Sequence, residues 1–303
     1  GCQLIFTGTG SLTVADVDYK KSKADSQASV VGDWEYGYYS NHWCAAIGNN
    51  DSSDQCYGIV FEGGVVFAGT TKAENCSAIG GGGNGNSTIT IKGGDITAVA
   101  STTGTAIGGG IGFNSQGGAG TVTISGGNVY AYNKANRWDI PSSAIGGAGS
   151  KAKHGNSGTV TITGGNVYVQ SAIGTAIGGG SSYNSYGGGA VIKITGGHVV
   201  ARSVAAESGL NPGIIIPPGA GIGGGTGCTS GSVANLNGGS ATVTIEGSPA
   251  IRTGSIGGGQ TNSPGGKIGT AKIYVRGGDI QAQFIMENTG SGLEEDRPVF
   301  EMN

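Results

Sequence analysis

The sequence predicts an all-β chain folded as a single-stranded, right-handed parallel β-helix (a solenoid) of about seven to eight coils, with loops inserted on one side. Three observations carry that expectation. A small-Ile-Gly tripeptide recurs with its Ile at Ile47, Ile79, Ile107, Ile145, Ile177, Ile222 and Ile256, at spacings of 32, 28, 38, 32, 45 and 34 residues. Near each recurrence stand two short alternating segments joined by paired glycines, as in "GTVTISGGNVYA". No stretch shows a helical apolar period with a cap and a stop, so helices have no foothold.

Within each unit the Ile of the tripeptide marks a minimal strand. The T-V-T-I and N-V-Y-A segments alternate strictly and are rich in β-branched and aromatic residues, the period-2 signature of half-buried strands. The glycines between them supply positive φ for a tight corner. Short strands separated by corners fit one coil of a solenoid better than a propeller blade, which takes four longer strands. Stacked coils put like on like at ~4.8 Å, so Ile107 lies between Ile79 and Ile145 in an internal aliphatic ladder. The small Ala and the glycine run beside each Ile let three segments close around a narrow core. Unequal spacing is absorbed in surface loops, because closure entropy grows only slowly with length. The chain reads as one domain: residues 1–45 an N-terminal coil and aromatic capping loop, 46–282 the repeat coils, 283–303 a C-terminal tail or cap.

Composition narrows the function classes. Gly is 66 of 303 residues, yet it does not fall at every third position, which excludes collagen. Hydrophobic residues make up 36% and recur in phase, which argues against disorder. A net charge of −3 with no basic stripe excludes nucleic acid as a partner. No segment approaches the roughly 20 apolar residues of a membrane helix, so no membrane insertion is expected. The chain opens "GCQLIFTGTGSLTV", already strand-like and without a signal peptide's charged and apolar regions. It therefore reads as a mature protein or an excised piece of a larger surface protein.

The cysteines fall into register. Cys44 and Cys76 each stand three residues before a tripeptide Ile, and Cys2 and Cys56 precede "LIFTGTG" and "GIVFEGG" at nearly the same phase. Stacked coils bring such Cα atoms to about 5 Å, inside the disulfide window. The two readings are a pair of bridges, Cys44–Cys76 and Cys2–Cys56, suited to an extracellular protein, or a ladder of buried thiols. Cys228 is left without a partner.

The recurring "AIGGG…GTVTISGGNVYA" pattern resembles the glycine-rich β-helical repeats of large surface and secreted proteins of Gram-positive bacteria. The resemblance covers the chain from about Trp43 to Ala282. It implies a bacterial, extracellular or cell-surface protein that is adhesin-like or carbohydrate-binding, and it assigns no catalytic residue.

Particular chemistry is expected on the loops, since the strands are interchangeable. Loops precede and follow each tripeptide, so the A-I-G strands are expected to floor a shallow groove suited to an extended polymer such as a polysaccharide. The stretch "DWEYGYYSNHWCAAIGNN" concentrates Trp34, Tyr36, Tyr38, Tyr39 and Trp43 beside Asp33, Glu35, Asn41 and His42. Aromatic faces with short polar neighbours suit a glycan. The same residues also suit a cap over the open end of the core, which repeat proteins require. Trp138, with Tyr183 and Tyr186 on the facing loop, forms a second candidate stacking patch, and Lys151, Lys153 and His154 a small basic cluster.

A glycan hydrolase or lyase needs more. A hydrolase takes two carboxylates roughly 5–10 Å apart, and the best pair on offer, Asp139 and Glu207, lies on separate insertions. His42, His154 and His198 fall on different coils, which leaves neither a Ser/His/Asp set nor a zinc cluster. No cofactor is expected. "GNNDSSDQ" carries oxygens that suit Ca²⁺, without the spacing of an EF-hand loop. The paired threonines of the T-V-T-I strands resemble a flat ice-binding face, but Lys193, Tyr274 and Arg276 interrupt it. The sequence therefore points to a non-catalytic binder, with a polysaccharide-cleaving enzyme and a structural stalk as alternatives.

Overall fold

The computed structural model describes residues 3–15, 45–49, 58–70, 76–100, 104–112, 115–134, 142–172, 174–204, 206–207, 215–216, 219–228, 233–286 and 299–302. Among them there is no helix, and 21 strands join in a single sheet whose pairings are all parallel. The sheet winds through three walls. The first wall carries the T-V-T-I segments, from Leu4–Phe6 through Gly120–Ile124 and Gly158–Ile162 to Val299–Met302. The second carries the N-V-Y-A segments, from Ser11–Ala15 through Asn128–Asn133 and Asn166–Ser171. The third carries the two-residue Ile-Gly strands. Eight coils contain all three walls among the described residues, and Val299–Met302 adds a first-wall strand beyond them. The protein is a parallel β-helix, as the repeat predicts. Its outermost strands extend past the expected repeat boundaries, because Ile285 pairs with Ile256 and Lys272–Val275 with Val299–Met302.

Register is exact where the sequence repeats. Thr121, Val122 and Thr123 sit directly over Thr159, Val160 and Thr161. Period-2 alternation then turns Val122 and Ile124 inward, fully buried, and Thr121 outward. Each central coil sends two side chains inward from the first wall and two from the second (a large one, then Ala or Val). The third wall contributes one Ile. Each such Ile removed from water contributes about 1.5–3 kcal/mol. The corner between the first two walls uses a glycine at φ +82° to +91° (Gly64, Gly94, Gly127, Gly165, Gly197), a conformation that an L side chain rarely adopts. In the seventh coil that corner is one residue longer, and the register shifts between Gly247 and Ala250, where Pro249 sits.

The segments after the third wall depart from expectation. They are not independent loops but a two-limbed arm whose limbs meet mostly at glycines. The chain runs out through Gly110, Ala148, Gly180, Gly225 and Gly259 and returns through Gly85, Gly118, Asn156, Gly188, Gly239 and Gly269. Outgoing and returning limbs hydrogen-bond in one series. Gly225 N–H donates to Gly188 O, Gly188 N–H to Gly180 O, and Gly180 N–H to Asn156 O. The series runs unbroken from Gly269 down to Gly85, at 2.7–3.0 Å per bond. At its glycine positions this contact leaves no room for a side chain: a Cβ on Gly180 would overlap the Ala148 carbonyl oxygen, and one on Gly225 the Gly180 oxygen.

The third wall is correspondingly closed. Ala78, Ala106, Ala144, Ala176 and Ala220 are all fully buried beside their Ile or one residue removed from it. The A-I-G column therefore does not floor an open groove.

Candidate functional site

With the third wall buried and the arm made of backbone, outward side chains are concentrated on the first and second walls and at the arm tips. The second wall carries the chemistry. Its N-V-Y-A strands turn their first, third and fifth residues outward, as the alternating burial of Asn128–Asn133 shows. Exact register then converts a repeated sequence into three rows.

The first row is Asp95, Asn128, Asn166 and His198. Asn166 Nδ2 donates to Asn128 Oδ1 at 2.8 Å, and Asn128 Nδ2 donates to Asp95 Oδ1 at 2.6 Å. Each amide thus holds its neighbour's orientation and keeps further donor and acceptor capacity facing outward. The second row is Thr97, Tyr130, Tyr168 and Val200, continuing to Arg252 and Gln281. The rings of Tyr130 and Tyr168 are parallel within 9°, with centroids 5.2 Å apart. Parallel rings in contact at roughly 3.5–4.0 Å between planes must be offset at that centroid distance. Part of each ring face stays uncovered, and both residues are half-buried. His198 closes this pair edge-on to Tyr168 at 5.7 Å.

The third row is Val99, Tyr132, Gln170 and Arg202. Lys134 lies 5.9 Å from the Tyr132 ring centroid, a cation–π contact. Beyond Arg202 the wall opens into a cleft of about 700 Å³, lined by Arg202, Arg252, Gly254, Gln281 and Gln283 among others. The cleft lies where the seventh coil passes from its second to its third wall through the single residue Gly254. Gly254, at its floor, has nothing within 4 Å of the position a Cβ would take.

The first wall differs. Its outward face bears Thr88, Thr121 and Thr159 in one row and Thr90, Thr123 and Thr161 in the next. Its flanking charges are paired: Lys92 with Glu62 at 3.0 Å, and Glu246 with both Lys193 at 3.1 Å and Arg276 at 3.3 Å. Hydrogen bonds and charge from Lys193, then Arg276, hold the Glu246 carboxyl below the usual carboxylate range.

The residues singled out in the sequence are placed unevenly. Trp34, Tyr36, Tyr38, Tyr39 and Trp43 lie outside the described residues, as do Trp138, Asp139, Cys2, Cys44, Cys56 and most of "GNNDSSDQ". Tyr186 is exposed on an arm tip, with its ring 5.1 Å from that of His154, whose Nδ1 is 3.0 Å from Ser185 Oγ. Tyr183, expected beside it on the surface, is instead 7% exposed. It is bridged in register to Cys228 in a two-strand sheet of the arm, so it presents no ring face. Glu207 belongs to a two-residue strand paired antiparallel with Ile215–Ile216. Cys76 and Cys228 are both buried. The Cys228 thiol donates to Ser182 O at 3.0 Å, and burial pushes its pKa up to about 12. Among the described residues no three His, Cys, Asp or Glu side chains group as a metal site.

Sequence reading passed over Tyr130, Tyr132, Tyr168 and Arg202, because each looks like an ordinary outward strand residue. The available signal was "NVY" at the same phase of two adjacent units, which registered stacking turns into neighbouring rings. The chain matches no protein-family model, no curated protein and no solved structure.

Proposed function

We propose that this protein is an extracellular, adhesin-like β-solenoid of a bacterial surface that binds an extended polysaccharide without cleaving it. The binding surface is the outer face of the second wall. The observation behind this reading is the offset Tyr130–Tyr168 pair flanked by the Asn128–Asn166 amide ladder. Sugar rings offer an apolar face for stacking and hydroxyls for amides, and this surface supplies both in adjacent rows. A polymer lying along the solenoid axis meets a new coil every ~4.8 Å, so a repeating ligand faces a repeating surface.

The carboxylates of this face favour binding over hydrolysis. Asp95 and Asp279 occupy the same row but stand five coil steps apart, roughly 24 Å at the spacing of stacked strands. A glycosidase pair sits at roughly 5–10 Å. Asp279 is moreover engaged by Arg252 at 2.7 Å.

The test is to mix the purified protein with a panel of insoluble and soluble plant, fungal and host polysaccharides and to examine each supernatant by mass spectrometry. Depletion of the protein without new oligosaccharides is the expected result. Released fragments would replace the binding reading with a hydrolase or lyase and direct attention to Asp139 and Glu207. Protein that stays in solution across the panel, releasing nothing, would overturn the proposal in favour of a structural stalk.

A further inference from the structure

We infer that the cleft beside Arg202 makes the second wall selective for acidic polysaccharides, those carrying a carboxylate or sulfate substituent. The inference rests on the binding reading above and names the ligand class.

Of the three arginines among the described residues, two are committed. Arg276 pairs with Glu246. Arg252 is held by Asp279 through its carboxylate at 2.7 Å and its carbonyl oxygen at 3.2 Å. Arg202 has no carboxylate partner among the described residues, and its side chain is exposed at the mouth of the cleft. A guanidinium remains charged at any physiological pH and presents a planar fork of donors that matches an oxyanion in two bonds at once.

The surroundings favour the same ligand. Arg202 continues the row Tyr132–Gln170, so a chain resting on the tyrosines leads into the cleft. The amides of Gln281 and Gln283 line the far side and are suited to the hydroxyls of the same sugar. On this face Lys134, Arg202 and Arg252 stand against Asp95 and Asp279, a local excess of one positive charge (three minus two) on a chain whose net charge is −3. On the first wall Lys193 and Arg276 are both ion-paired, sharing the one carboxylate of Glu246, whereas Arg202 has no such partner among the described residues.

The test compares matched polymers that differ only in the charged group: polygalacturonate against its methyl ester, and dextran sulfate against dextran. Binding is measured by calorimetry at low and high salt. In at least one pair the acidic member should bind roughly tenfold more tightly, and the gap should narrow as salt rises. The exposed substitution Arg202→Gln should erase the gap, with the loss falling on the acidic polymer, and preserve the thermal melt. A gap in the galacturonan pair alone assigns the cleft to a carboxylate, and one in the dextran pair alone to a sulfate. Equal affinity within both pairs, or a gap that survives Arg202→Gln, would overturn the inference. If neutral glycans bind through Tyr130 and Tyr168 while no acidic preference is found, only the selectivity fails. If nothing in the wider panel binds, the binding reading fails with it.

Discussion

The walls and the glycine arm of this solenoid are built under opposite constraints. On the first and second walls, strand alternation splits every segment into outward residues that are unconstrained and inward ones that are apolar, save at strand ends, where on the second wall buried Asn133 and Ser171 hydrogen-bond to Ser142 O. Thr161, Lys193 and Tyr274 accordingly share one row of the first wall. In the arm, limbs meet backbone to backbone, and a single added carbon collides with a neighbouring carbonyl. Two of the eleven positions in the hydrogen-bonded series are not glycine, Ala148 and Asn156, and they adjoin in that series. The contact between the limbs thus uses almost no side-chain chemistry, and side chains return only toward the arm tips, whereas the walls present them along every coil. That asymmetry is why the candidate site lies on a wall.

Substitutions in the walls and in the arm should separate the two constraints. The largest effect is expected inside the walls. Ile145→Ala empties a fully buried position of the third-wall ladder and should cost about 2–5 kcal/mol in denaturant unfolding. The arm makes a sharper prediction at two consecutive residues. A Cβ on Gly188 would overlap the Asn156 carbonyl oxygen, whereas one on Gly189 meets nothing closer than 3.5 Å. Gly188→Ala should therefore destabilise by about 1–3 kcal/mol, and Gly189→Ala should stay within about 0.5 kcal/mol of the parent. Equal effects at the two positions would show that the limbs are not in backbone contact.

The buried thiol of the arm gives a kinetic prediction. Cys228, neutral until about pH 12, should resist alkylation at pH 8 in the native protein and react once denaturant opens the arm. Because its folded pKa lies above its unfolded one, it contributes stability below the ordinary thiol range, and that contribution is lost as pH climbs toward 12. The smallest effect belongs to the exposed first-wall ion pairs. Glu246 has a lowered pKa, so its contribution is present above the ordinary carboxylate range and fades as pH falls through the lowered value. Glu246→Gln should remove that slight acid dependence and little else, since exposed pairs are weak.

Much of the architecture was legible in the residues. The seven tripeptide isoleucines do stack in one column, and the paired glycines do turn the corner between the first two walls at positive φ. Both follow from local chemistry and a fixed period. The arm was not legible, because glycine in a sequence signals freedom, and only the neighbouring coils show that here it signals contact. Tyr183 was misplaced for a related reason. In an arm whose limbs associate, a tyrosine three residues past a glycine run is drawn into the small sheet with Cys228. The tyrosines that matter on the second wall have nothing unusual in their own segments. Their meaning comes from register, which sets Tyr130 beside Tyr168 across 38 residues of sequence.

The most direct test of the account sets the two walls against each other on one ligand, the polysaccharide that depletes the native protein most strongly. The affinity of a Tyr130→Ala/Tyr168→Ala double variant would be measured beside that of Thr121→Ala/Thr159→Ala, both confirmed folded at the assay temperature. Losing two aromatic contacts should weaken binding roughly tenfold or more, while the threonine variant should bind as the parent does. Equal affinities for the two variants, or a larger loss from the threonines, would contradict the assignment of the binding surface to the second wall.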